Sequence, residues 1–121
     1  MKKKILIVDD DPRNIFALKL TLKSKGFDVL DATMADEAIE IMKQNADLSF
    51  VLMDMMMPEI DGYEALNIVL NTPEIAGIPV IAVTAQAMPG DREKCIAAGA
   101  KEYVTKPIDV EILLKAVQNI S

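Results

Sequence analysis

The run Ile5-Leu6-Ile7-Val8, followed at once by Asp9-Asp10-Asp11, decides how this chain is read. Four consecutive apolar residues describe a strand buried on both faces, as in a parallel sheet covered by helices on each side. Three carboxylates at the end of such a strand are costly unless a cation faces them.

The pattern recurs further along. Phe50 to Met53 is a second apolar run and ends in Asp54; Val80 to Val83 is another and ends in Thr84; Tyr103, Val104 and Thr105 lead to Lys106 and Pro107. Working outward from these runs, strands are predicted near 4–8, 28–31, 50–53, 79–83 and 101–104, and helices near 12–25, 35–44, 63–71, 89–98 and 109–119. Five strand–helix units in succession give an α/β, doubly wound, mainly parallel sheet. Asp28 to Asp31 is the most polar of the strands and is predicted at an edge.

Local signals agree with these divisions. Asp11 is placed to cap a helix that has Pro12 in its first turn, and Asp109 to cap a last helix with the apolar stripe Val110, Leu113, Leu114 and Val117. Gly26 and Gly99 read as helix C-caps and Asp61-Gly62 as a turn, while Pro58 and Pro107 fix loop geometry. Met53, Met55, Met56 and Met57 read as core or loop filler, Cys95 as helix packing, and Tyr103 as a packed strand aromatic with its hydroxyl at the surface.

Bulk properties narrow the function. With 121 residues the chain is one domain's worth and needs no staple, and its one cysteine forms no internal disulfide or thiol-based metal site. A net charge of -6 argues against a phosphate-backbone binder, so no direct nucleic-acid role is expected. Lys2, Lys3 and Lys4 are followed by about four apolar residues, too few for a signal peptide or a membrane span. A cytoplasmic protein is expected. The composition holds no histidine. That removes the commonest general base and any internal phosphohistidine relay, so phosphate must arrive from outside.

In an open parallel sheet, ligands bind beyond the carboxyl ends of the strands, where all the candidate residues fall. Magnesium takes near-octahedral oxygen ligation from one or two carboxylates, waters and a phosphate; Asp10 and Asp54 can supply the carboxylates, with Asp9 assisting through water. Asp54, alone at its strand end, is the natural nucleophile for an acyl phosphate. Phosphoryl transfer needs charge neutralised on the equatorial oxygens more than it needs proton chemistry, and one metal, the Lys106 ammonium and the Thr84 hydroxyl suffice. Two like charges about 4 Å apart repel by roughly 4 kcal/mol at an effective dielectric near 20, so the empty cluster is expected to strain the fold and a cation to relieve it.

The segments ILIVDDD at 5–11, VLMDMMMPEIDG at 51–62, VTA at 83–85 and YVTKP at 103–107 together resemble the receiver domain of two-component response regulators, similar to the chemotaxis response regulator. The resemblance spans the whole chain as a single receiver domain, 1–121. It implies a flavodoxin-like (βα)5 sandwich with a five-stranded parallel sheet in the order 2-1-3-4-5. It implies that Asp54 is the phosphoacceptor, that Asp9 and Asp10 form an acidic pocket for magnesium or manganese with Asp10 a direct ligand, and that the Met56 carbonyl completes the protein's ligands. Thr84, the Ala85 amide and Lys106 would bind phosphoryl oxygens. Thr84 and Tyr103 would form a switch acting on the fourth helix, fifth strand and fifth helix, while Met56 and Gln86 stand where the family varies its dephosphorylation rate. The implied donor is a histidine kinase or a histidine phosphotransfer protein, and the chain would catalyse only its own phosphorylation and dephosphorylation. The stretch DDDPRNIFAL at 9–18 resembles hybrid-kinase receivers.

Other classes compete. An aspartyl-nucleophile phosphatase usually carries a second acid two residues beyond the nucleophile, where this chain has Met56. A nucleotide-binding protein of this fold would carry G-x-x-x-x-G-K-[ST] or G-x-G-x-x-G, and neither occurs. A degenerate receiver acting as an interaction module would be expected to have lost some of the five site positions, all of which are filled here.

Overall fold

The computed structural model describes residues 3–56, 62–85 and 89–120. Five strands alternate with five helices: β1 (Lys3–Val8), α1 (Pro12–Ser24), β2 (Phe27–Ala32), α2 (Ala35–Gln44), β3 (Phe50–Asp54), α3 (Gly62–Leu70), β4 (Val80–Thr84), α4 (Asp91–Ala97), β5 (Glu102–Thr105) and α5 (Val110–Ile120). The strands form one sheet in the order β2-β1-β3-β4-β5, with every neighbouring pair parallel. The polar strand predicted at an edge is at an edge.

Unbroken apolar strands bury both faces because alternate side chains feed two cores. Leu6 and Val8 of β1 join Met42 of α2 and Leu66 of α3 on one face. Ile5 and Ile7 join Leu22 of α1 and Leu113 of α5 on the other. Phe50 belongs to this second core and meets Phe27 edge-on, with ring centroids 5.8 Å apart.

The helix caps are those the sequence predicts. Asp11 accepts from the Arg13 N–H at 3.0 Å with Pro12 opening α1, and Asp109 accepts from the Glu111 N–H at 2.9 Å at the head of α5. Gly26 and Gly99 follow the ends of α1 and α4 with positive φ.

Several boundaries differ from the predicted ones. β3 extends to include Asp54 and β4 to include Thr84, because the ladder continues through Asp54↔Val83 and Thr84↔Thr105. α4 is shorter than predicted. The chain enters it through Gly90 at φ +90°, a left-handed conformation from which a helix cannot yet propagate. Cys95 is its buried residue. Its neighbour Lys94 lies over the Tyr63 ring, 4.6 Å from the centroid.

Gly62 is not a turn residue but the first residue of α3. A Cβ there would stand 2.5 Å from the Met55 Cα, so a side chain is excluded by Met55 at the end of β3. Met57, Pro58, Asp61 and Gln86 lie outside the described residues.

Candidate functional site

The register assembles the site at one edge of the sheet. Val8 pairs with Met53, Asp54 with Val83 and Thr84 with Thr105, so Asp9, Asp54, Thr84 and Lys106 emerge side by side from four neighbouring strands. Among the described residues, the buried polar or charged side chains are Asp9, Asp54 and Thr84, at 3%, 2% and 7% exposure. A globular core rarely takes in such groups without partners, and their collection at one edge marks the site.

Each carboxylate is held by donors. Asp54 Oδ1 accepts from the Met56 N–H at 2.9 Å and Oδ2 from Lys106 Nζ at 3.1 Å. Asp9 Oδ1 accepts from the Asp11 N–H at 2.9 Å, while Oδ2 accepts from Asn14 Nδ2 at 2.5 Å and lies 3.4 Å from Lys106 Nζ. Asp10 is exposed, and its carboxylate oxygen lies with those of Asp9 and Asp54 inside a span of 4.8 Å. Thr84 ends β4, and Ala85 follows it directly at the surface.

Burial pushes the Asp54 carboxyl above the ordinary carboxylate range, against the pull of the Met56 N–H and Lys106, and the charge of Asp9 pushes the same way. For Lys106, burial acts to lower its pKa, but the hydrogen bond and charge of Asp54, then those of Asp9, outweigh it and hold the ammonium above its usual value. A single ammonium thus serves two buried carboxylates.

The donor set suits a hard divalent cation. Three carboxylates converge, and the Met56 backbone folds back onto Asp54 through its N–H, keeping that peptide beside the cluster. Oxygen donors of this charge match magnesium or manganese rather than a soft metal.

Tyr103 lies on β5, half-buried against the core that contains Cys95. Burial raises its phenol pKa, with the charges of Asp91 and Cys95 acting the same way. It stands two strands from Asp54, with β4 between, and not among the carboxylates. The sequence reading missed Asn14 and the packing role of Gly62. The signal for Asn14 was its place one helical turn beyond Asp11, where a side chain of the first turn can reach back to a strand end.

Compared with known families, residues 5–118 match the response regulator receiver domain. The chain belongs to the response regulator receiver family. This receiver is 35% identical over 117 residues to Protein PilH of Pseudomonas aeruginosa, covering 97% of this chain and 96% of that protein. It is also 35% identical over 121 residues to hybrid signal transduction histidine kinase I of Dictyostelium discoideum, covering 95% of this chain but 7% of the kinase. Among solved structures it is similar to the receiver domain of a Pseudomonas aeruginosa sensor histidine kinase with magnesium coordinated in the active site cleft. That match has a TM-score of 0.87 and 31% identity and covers 98% and 97% of the two chains. The fold is thus the flavodoxin-like arrangement that the resemblance implied, in a domain of two-component signalling. Among the described residues, no helix is long and apolar enough to cross a membrane.

Proposed function

We propose that this receiver accepts a phosphoryl group on Asp54 from a phosphohistidine of a histidine kinase or histidine phosphotransfer protein. The observation that carries the reading is the Asp54 carboxylate, 2% exposed, with the Lys106 ammonium 3.1 Å away and the oxygens of Asp9 and Asp10 within 4.8 Å.

A carboxylate oxygen of Asp54 attacks phosphorus, the donor's N–P bond breaks, and the electron pair stays with the departing imidazole. Lys106, already on Asp54 Oδ2, is placed to follow charge onto the incoming phosphoryl oxygens. Thr84 offers its hydroxyl and Ala85 its backbone N–H to the same oxygens. Asp9, Asp10, Asp54 and the Met56 carbonyl would hold magnesium or manganese, which supplies positive charge against the repulsion between donor and site.

No proton need be removed from Asp54, so the absence of histidine is consistent with the chemistry. Burial raises the Asp54 pKa, and a bound cation would act against that shift by favouring the carboxylate that attacks. Phosphorylation would draw Thr84 toward the phosphoryl group and Tyr103 inward, altering the α4, β5 and α5 surface read by a downstream protein or fused output domain. Met56, in place of a second acid two residues beyond Asp54, favours self-phosphorylation and self-dephosphorylation over turnover of outside substrates. The receiver would work in the cytoplasm without binding nucleic acid, as its charge of -6 suggests.

Intact mass after incubation with a small phosphodonor and magnesium tests the reading. One phosphoryl group is expected on the wild type and none on Asp54→Asn; equal labelling of both overturns it.

A further inference from the structure

Asn14 has no part in the chemistry described so far. It lies in the first turn of α1, half-buried, and lines an open groove with Asp11, Arg13, Ala17, Lys106 and Pro107. Its Nδ2 donates to Asp9 Oδ2 at 2.5 Å, while the Asp11 N–H donates to Asp9 Oδ1 at 2.9 Å. Donors on both oxygens fix the plane of that carboxylate.

The Asn14 amide also shares its acceptor. Lys106 lies 3.4 Å from the same Asp9 oxygen and 3.1 Å from Asp54 Oδ2. A buried carboxylate oxygen that lost its neutral donor would turn toward the nearest cation, because an unsatisfied buried acceptor is costly. Lys106 is that cation. Asp9 would then draw the ammonium from Asp54 and turn its oxygens from the cluster shared with Asp10.

We propose that Asn14 is a positioning residue. Its amide holds Asp9 in the orientation that faces a divalent cation and leaves Lys106 on Asp54. The inference deepens the phosphoacceptor reading and rests on it. Side chains that orient metal-binding carboxylates contribute strongly to affinity when they are themselves well ordered, and their loss typically weakens binding about 10- to 100-fold.

The test is calorimetric titration of the metal-free chain with magnesium chloride, for the wild type, Asn14→Ala, Asp9→Ala and the double variant. Alanine is the best helix former, so Asn14→Ala is expected to stay folded, as a melting curve will show; if it does not, Asn14→Ser takes its place. The expected result is a Kd raised about tenfold in Asn14→Ala and no further weakening when the change is added to Asp9→Ala. A Kd within about twofold of wild type overturns the proposal, as does equal weakening in both backgrounds, since Asn14 would then not act through Asp9. The two readings fail separately. Labelling that survives in Asp54→Asn sinks the phosphoacceptor reading, whereas labelling confined to Asp54 with unaltered magnesium affinity in Asn14→Ala sinks the Asn14 inference alone.

Discussion

Replacing Lys106 with methionine keeps the apolar stem out to Cε and removes the charged end, leaving two nearly inaccessible carboxylates with no ammonium between them. The pairings at 3.1 and 3.4 Å correspond to about 5 kcal/mol each at an effective dielectric near 20, before desolvation is subtracted. Removing one partner of a buried pair costs about 3–5 kcal/mol, and the Lys106 side chain is 28% exposed, which places the loss near the lower end at about 3 kcal/mol. In a domain of this size that is a fall in Tm of roughly 10 °C in metal-free buffer. Magnesium would neutralise the same oxygens as the ammonium, so each would weaken the need for the other. The stabilisation by saturating magnesium should therefore be larger in Lys106→Met than in the wild type, by about 1.4 kcal/mol for every tenfold gain in affinity. Circular-dichroism melts of both proteins, in chelator and in about 10 mM magnesium chloride, measure both quantities. A metal-free fall below about 2 °C, or a magnesium increment no larger than that of the wild type, would refute the claim that one lysine neutralises both aspartates.

Two further outcomes follow from the same geometry. Asp54 has a raised pKa in the folded state, so its protonated form favours folding; that contribution is present below the ordinary carboxylate pKa and lost as pH rises through the folded value. Asp54→Asn should consequently be more stable than the wild type in metal-free buffer at pH 7, with the gap closing as pH falls through about 4, as urea melts across pH will show. Gly62→Ala drives a methyl group to within 2.5 Å of the Met55 Cα and should cost about 2–3 kcal/mol, read as a lowered urea midpoint.

The fold was almost fully legible in the sequence because its strands are of one kind. Runs such as Ile5 to Val8 and Val80 to Val83 carry the same signal, and the polarity of Asp28 to Asp31 marked the edge. The candidate cluster was legible for a related reason: in a parallel sheet, the residue after each strand shares an edge with its counterparts, so Asp9, Asp54 and Lys106 could be grouped before any distance was known. Strand ends shifted by a residue, since only the ladder reveals that Asp54 and Thr84 still pair. Asn14 escaped because a polar residue in a first helical turn is common, and its partner is chosen by the angle between α1 and the sheet. Gly62 escaped because what it meets, the sulfur and backbone of Met55, is set by how the chain comes back to β3, on which sequence patterns are silent.

The way α4 is fastened sets how easily it can be displaced. α1 is pinned by Ile15, Leu18 and Leu22, whereas α4, seven residues long, sinks Cys95 as its buried side chain. Withdrawing a side chain of that size from the core costs on the order of 1–2 kcal/mol, comparable to the roughly 1–3 kcal/mol by which distant sites in proteins are commonly coupled. Of the two helices, α4 is thus the one whose amide protons should exchange sooner with solvent deuterium.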